Sequence, residues 1–465
     1  MALNLSSLQT LTPAQYIKFT IPTPIKHHSY IERPLLHIAV LDSPIATAND
    51  TSPLIAAMIV PQHRENDWTF CTKSGHLQLL FNLSNISRLI LIGNNLSLDD
   101  LEPSIYIRPP NIDPLDKEKL ENNLKQLVIA LHPKSCFKNG VPKPLFVTYE
   151  DDVVYRVIID RFVGPFVGEF VVEDVEVESK CDGNKESRRR IRFKTTPNLI
   201  QSQVRIVPSL VAGEYDGRLD LGRLRRMKGV EFLADTSVLV HPYLTPMVSG
   251  LSIIAPYLNE RIKVGGTPRA LCLGVGGGSL LSFLNVRLGF EVVGVEADEI
   301  VLTVARQYFG LNEGKSVRIV VGDAMELTEK IAEDLTDSSF GIDVSKDRFD
   351  VVMVDLDSSD AQSGISAPPP EFVKKSVFQM MKSLVHDHGV VVINVIPPSK
   401  VFYNTLVHEL RDVFHKVYEI NVENDGNFVV MATLSPIAKD DHDNDFSTKL
   451  RAAISGNYTD SIVEL

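Results

Sequence analysis

The run Leu271-Cys-Leu-Gly-Val-Gly-Gly-Gly-Ser-Leu280 ends an apolar segment with glycines at alternate positions, Gly274, Gly276 and Gly278. Glycine in a turn between strand and helix tolerates positive φ, and without a Cβ it lets a ligand lie against the backbone. Glu296 ends the next apolar segment, where a carboxylate can accept hydrogen bonds from both hydroxyls of a ribose. Gly322-Asp323 ends the segment after that. There the Asp323 carboxylate can face the exocyclic amine of adenine, and Gly322 admits the ring to the backbone. Close helix packing or a simple turn would account for the glycines alone. Together, the three signals stand at the carboxyl ends of successive strands, where open α/β sheets bind ligands.

The glycine spacing is G-x-G-x-G. A dinucleotide fingerprint would place its third small residue at Ser279, a poorer fit. The cofactor expected is therefore S-adenosyl-L-methionine or its decarboxylated form, ahead of a dinucleotide. Cys272 stands where many methyltransferases carry an acid two residues before the first glycine.

A second cluster closes the apolar segment Phe349-Asp-Val-Val-Met-Val354 and comprises Asp355, Asp357 and Asp360. In-line attack on a sulfonium needs a neutral, aligned and desolvated nucleophile. An amine arrives as ammonium, so a carboxylate that binds it and helps it lose a proton is the expected partner. Asp355 and Asp357 are the candidates for the transfer site. The bland alternative is that Asp357-Ser-Ser-Asp360 caps a loop, for which it has good turn chemistry.

Alternating elements must position these residues. Strands are expected at 270–273, 291–296, 317–321, 349–355 and 390–396, with helical segments between them and a helix over 246–258 before them. This pattern implies a mostly parallel sheet covered on both faces. Lys416–Val422 and Phe428–Leu434 flank Asp425-Gly426, which predicts a closing antiparallel hairpin. The fold class expected is α/β: a seven-stranded Rossmann-like methyltransferase domain over 230–436. A strand-rich α+β module over 1–229 precedes it, and an acidic linker and tail over 437–465 follow. Gly213–Gly229, rich in glycine and arginine, is the expected linker between the first two.

Several other residues invite a reading. Arg188-Arg-Arg-Ile-Arg-Phe-Lys194 alternates like a strand with one charged, solvated face; a docking surface for an acidic partner is the sharper alternative. His241 and Tyr243 either line the pocket or pack in a turn. Trp68, the only tryptophan, is a candidate core anchor. His386 and His388 suit a helix C-terminus.

With 465 residues the chain can bury a sizeable core, and its composition, 44% hydrophobic and 23% charged, is that of a globular protein. A net charge of -12 argues against nucleic-acid binding through a broad basic surface. The four cysteines form no C-x-x-C pair, so neither a zinc site nor a disulfide framework is implied. No apolar run is long enough for a membrane helix, and the N-terminus lacks the features of a secretory signal. The cytoplasm is the expected location.

From about Thr245 to Pro436 the chain resembles the spermidine synthase-like branch of the class I methyltransferases. Asp357-Ser-Ser-Asp360 matches a string of the spermidine synthases, displaced by two residues, so that Asp355 takes the equivalent position. The chain is more similar to the methyltransferase-like 13 family, which modifies the N-terminus and a lysine of translation elongation factor 1-alpha. Leu273–Leu280, Val354–Asp360 and Pro368-Pro-Pro-Glu-Phe-Val373 carry that likeness. So do upstream segments that spermidine synthases do not share: Val60–Trp68, Gly168–Val175 and Asn198–Arg205. The resemblance implies a protein methyltransferase that binds cofactor through Gly274, Gly276, Gly278, Glu296, Gly322 and Asp323. It also implies transfer beside Asp355 and Asp357, with elongation factor 1-alpha as substrate and partner, and leaves room for a homodimer. The family's separate N-terminal methyltransferase domain, responsible for the lysine, has no counterpart glycine loop before Gly274. The expectation is a chain that keeps the half acting on an N-terminal amine, either as a shorter paralogue or through an incomplete reading of the gene. An aminopropyltransferase and a non-catalytic binding module remain the alternatives.

Overall fold

The computed structural model describes residues 5–23, 35–45, 53–83, 85–94, 105–180, 182–209, 220–333, 348–360, 364–422, 426–435 and 444–465. The chain divides into two compact units. The first comprises residues 1–159, 173–186 and 192–199, and the second comprises 160–172, 187–191 and 200–465.

The first unit holds strands β1 (Tyr16–Pro22), β2 (Leu35–Asp42), β3 (Ile55–Ile59), β4 (Arg88–Asn94), β5 (Ile105–Ile107) and β6 (Leu145–Val147), and helices α1 (Trp68–Cys71), α2 (Lys73–Phe81) and α3 (Pro114–Ala130). Five strands pair in the order β1-β2-β4-β3-β6. Period-two alternation divides the apolar residues between the faces. Ile38, Val40, Ile90 and Ile92 pack with Leu124 and Val128 of α3, while Ala39, Leu41, Leu89 and Leu91 pack with Leu79 and Leu80 of α2. Asp113 caps α3 by accepting from the Leu115 amide at 2.8 Å, as its place before Pro114 predicts.

Strands β7 (Val153–Gly164), β8 (Gly168–Glu178), β9 (Lys185–Phe193), β10 (Ile200–Ser209) and β11 (Glu231–Asp235) form a sheet in the order β11-β10-β9-β8-β7-β5. Residues of β7 to β9 belong to both units. The basic run in β9 is not a solvated face: Arg189, Arg190 and Arg192 are all buried. Arg192 donates to Asp67 (2.8 Å) and to Glu173 (3.1 Å). Arg64 and Arg156 also pair with Asp67. Burial opposes ionisation of Asp67, but Arg192, Arg156 and Arg64 outweigh it and hold the carboxyl well below its usual range. Trp68 is buried beside this network, with the Arg192 guanidinium 5.9 Å from its ring centre.

In the second unit, strands β12 (Arg269–Leu273), β13 (Glu291–Glu296), β14 (Val317–Val321), β15 (Phe349–Val354), β16 (Ser358–Asp360), β17 (Gly364–Ser366), β18 (Val385–Val395), β19 (Lys416–Val422), β20 (Asn427–Thr433) and β21 (Val463–Glu464) follow one another. Helices α4 (Leu221–Leu224), α5 (Leu244–Ser249), α6 (Ala255–Lys263), α7 (Ser279–Phe283), α8 (Glu299–Tyr308), α9 (Ala324–Glu333), α10 (Lys375–Leu384), α11 (Lys400–Val413) and α12 (Asp445–Ala453) are interspersed with them. The main sheet has the order β14-β13-β12-β15-β18-β20-β19-β21. Its first five strands are parallel, and β20 and β19 close it antiparallel. This is the strand order of the class I methyltransferase fold, with an eighth strand, β21, added to the seven expected. Both sheet faces are covered, by separate apolar layers that draw alternate residues of the same strands, such as Cys272 and Met353 on one side and Leu271 and Val352 on the other.

Two further expectations need correction. The helix over 246–258 is broken into α5, a 3-10 turn over Gly250–Ile254 and α6. Gly250 sits tight against Met431, where a Cβ would approach the sulfur to 2.9 Å. His386 and His388 lie at the start of β18, just past the end of α10 and not within it, where His386 stacks on Tyr257 and His388 is tilted against it. Residues 213–219 of the expected linker and 437–443 of the acidic stretch lie outside the described residues, as do 423–425 of the hairpin turn. Among the described residues no helix is long and apolar enough to cross a membrane.

Candidate active site

Parallel pairing of β12 with β15 sets Leu273 opposite Val354, and the Asp355 amide continues the ladder to the Leu273 carbonyl at 2.9 Å. Gly274 and Asp355 are therefore neighbours at the carboxyl edge of the sheet. Gly274 has φ +92°, and a Cβ there would stand 2.1 Å from the Asp355 carbonyl oxygen, so only glycine fits. Gly278 has φ +78° and immediately precedes α7.

The amides of this loop are engaged within the protein. Gly274 donates to the Val295 carbonyl (3.0 Å) and Gly278 to that of Val275 (2.8 Å). Val275 (3.2 Å) and Gly276 (3.0 Å) donate to Oε2 of Glu296. Gly277 donates to Oγ of Ser202, at 3.0 Å. A pyrophosphate would need these amides and would meet a carboxylate there instead. A ligand that is neutral or cationic near the loop suits the charge better. Burial raises the pKa of Glu296, against the amide hydrogen bonds, which lower it.

The Gly322 amide donates to the Glu296 carbonyl at 2.9 Å, which joins the second and third signals at one edge. Asp323 is exposed and accepts from the amides of Met325 (2.9 Å) and Glu326 (3.0 Å), so it caps α9.

Asp355 has the most elaborated environment. Tyr243 donates to its Oδ2 at 3.0 Å and Asn394 Nδ2 to its Oδ1 at 3.1 Å. Burial lifts its pKa to about 6; the Asn394 and Tyr243 hydrogen bonds pull down, and Asp357 pushes up. Asn394 is itself buried, and its Oδ1 has no partner among the described residues. Asp357 is open to solvent on its outer side, yet the protein crowded around its carboxyl raises its pKa, against a hydrogen bond from Gln201. Beyond it, β16 pairs antiparallel with β17, and Ala367 bridges to Ile396 at the end of β18. The side chains of Ser359 and Asp360 lie outside the described residues. Cys272 is buried in an apolar layer, and burial pushes its thiol pKa up.

The structure thus brings Gly274, Gly276, Gly278, Glu296, Gly322, Asp323, Asp355 and Asp357 to one edge of the sheet. It adds Tyr243, which precedes α5 and which sequence reading had left between pocket and turn. It also adds Gln201, Ser202 and Asn394, which that reading missed. Asn394 could have been noticed as the polar residue in Val390-Val-Val-Ile-Asn-Val-Ile396. His241 Nε2 donates to the Ile200 carbonyl (2.9 Å), and burial lowers the pKa of the ring to about 4, so it is neutral at physiological pH.

No family model matches the chain. It is 27% identical over 400 residues to the eEF1A lysine and N-terminal methyltransferase of Xenopus laevis, covering 84% of this chain and 52% of that one. It is 26% identical over 415 residues to the Homo sapiens protein of the same name, covering 87% and 54%. The chain is similar to these methyltransferases over most of its own length. It spans about half the length of the curated relatives it matches. Among solved structures, human methyltransferase-like protein 13 in complex with SAH is 26% identical, covering 46% of this chain and 92% of that one, with a TM-score of 0.39.

Proposed function

We propose that this chain is an S-adenosyl-L-methionine-dependent methyltransferase acting on a protein amine, and that its substrate is the N-terminus of translation elongation factor 1-alpha in the cytoplasm. The observation that carries the reading is the seating of Asp355 against Gly274, with both carboxylate oxygens held by Tyr243 and Asn394. In this reading Gly274, Gly276 and Gly278 form the cradle. Glu296 holds the ribose hydroxyls with the oxygen capacity that the loop amides leave, and Gly322 and Asp323 border the adenine. When bound, the cofactor supplies an electrophilic methyl group on a sulfonium.

The chain's own residues then have a limited task. Asp355 is ionised above a pH of about 6, so it binds the incoming ammonium and accepts its proton at an oxygen. Tyr243 and Asn394 fix the plane of the carboxylate, and the unpartnered Oδ1 of Asn394 offers the amine a second acceptor. Asp357 adds negative charge that favours a cationic acceptor. The names of the relatives support a protein acceptor, and they support transfer to the elongation factor.

Calorimetry with S-adenosyl-L-methionine tests the cradle. The protein is expected to bind it, and Gly276→Arg and Glu296→Ala are expected to lose that binding. Unchanged affinity in both variants would sink the reading. Transfer of label to purified elongation factor 1-alpha, with no turnover of putrescine and decarboxylated cofactor, separates it from an aminopropyltransferase. It separates it equally from an inactive binding module.

A further inference from the structure

The hairpin between β7 and β8 carries two large apolar side chains in open solvent: Val163 is 72% exposed and Phe166, within the tip Gly164-Pro-Phe-Val-Gly168, is 75% exposed. The tip is nevertheless anchored. Asp298 is fully buried, and its Oδ2 accepts from the amides of Phe166 (3.0 Å) and Val167 (3.2 Å) while its Oδ1 caps α8 at Ile300 (3.0 Å). Gly164 closes on the same carboxylate, and a Cβ there would lie 2.3 Å from Oδ2. Asp298 stands two residues beyond Glu296 and donates its own amide to Glu296 Oε1 at 3.1 Å. One continuous set of hydrogen bonds therefore runs from the tip through Asp298 to Glu296, and from there to the amides of Val275 and Gly276. The backbone of the tip is thus tied to the carboxyl end of β13, beside Glu296 of the candidate active site. Apolar side chains on a pre-ordered backbone lose little entropy on binding and gain by being covered.

We infer that this tip is a docking surface for the polypeptide substrate, taking an apolar side chain of the segment whose amine is delivered to Asp355. The inference rests on the methyl-transfer reading. The same edge carries Glu296, Asp355 and Asp357, so it favours a cationic segment, and the tip adds the apolar contact that carboxylates cannot give. The substrate class is a polypeptide that offers both a basic amine and a large apolar side chain.

Phe166 touches the anchor through its backbone only, so Phe166→Ser leaves the Asp298 hydrogen bonds in place. With saturating S-adenosyl-L-methionine and purified elongation factor 1-alpha as acceptor, this variant is expected to raise KM about ten-fold. It should leave kcat and the affinity for S-adenosylhomocysteine unchanged, and Phe166→Leu should restore most of the loss. An unchanged KM in Phe166→Ser overturns the inference and leaves the methyl-transfer reading standing. Dissociation of a dimer with unchanged KM overturns it too, and makes the tip a self-association surface. A wild-type protein that binds cofactor yet transfers nothing to the elongation factor overturns the proposed substrate and this inference with it.

Discussion

In the proposed reaction Asp355 concentrates the chemistry at the scale of a single residue, and its ionisation has consequences for activity and stability with opposite signs. Its folded pKa of about 6 lies above the ordinary aspartate value of 3.8, so between those values the native state binds more protons than the unfolded chain. Stability from this group is therefore highest at low pH, falls as pH rises towards 6, and above 6 carries a constant penalty of up to about 3 kcal/mol. Activity runs the other way, because only the carboxylate can take the proton of an ammonium. We expect kcat/KM to rise with pH through about 6. We expect Asp355→Asn to lose about 100-fold or more in transfer while gaining stability at pH 8. Urea melts of the two proteins should converge below pH 4 or so. Equal stability at both pH values, or a flat rate profile across pH 6, would count against this account.

Among the elements, the glycine loop depends on a strand that comes long before it in sequence. Ser202 on β10 accepts from the Gly277 amide, and Ser279 Oγ donates to the Gln203 carbonyl at 3.2 Å. A Cβ on Gly277 would reach the Ser202 hydroxyl at 2.6 Å, so the two elements are fitted closely. Ser202→Ala leaves a buried amide without its acceptor, which costs about 1–3 kcal/mol. The expected result is a cofactor affinity weakened about ten-fold by calorimetry, with the far-ultraviolet spectrum unchanged. Unaltered affinity would mean that the loop holds its shape without β10. The strands of the main sheet were legible from their apolar runs and from the glycines and acids that end them. The break before α6 falls where Pro256 lacks a backbone donor, and the close seating of Gly250 on Met431, remote in sequence, was not legible. The buried arginines of β9 were misread because alternation reports that two faces differ, not which of them is covered. Asp67, Glu173 and Tyr308, the partners that make their burial tolerable, are remote in sequence.

At the scale of the whole molecule, the C-terminal residues finish the main sheet. Glu464 pairs with Tyr418 across β21 and β19, the Leu465 amide donates to the Val417 carbonyl at 2.9 Å, and Glu464 forms an ion pair with Lys416. Without these residues β19 becomes an open edge. Removal of residues 462–465 is expected to give concentration-dependent association, read by light scattering on a sizing column, with cofactor affinity retained. A truncated protein that stays monodisperse at high concentration would show that the edge is protected by other means.

Local chemistry, read from the sequence alone, determined the alternating α/β architecture and is the source of the proposed class of cofactor and of Gly274, Glu296 and Asp355 as its candidate residues, because glycine tolerance, strand periodicity and carboxylate chemistry act over a few bonds. Tertiary structure alone decided that Tyr243 and Asn394 hold Asp355, that Gln201 and Ser202 reach the candidate site from β10, and that the Phe166 amide is anchored on Asp298. Hydrogen-bond partners separated by 39 residues or more are chosen by the packing of elements. No local pattern in a single chain carries that choice.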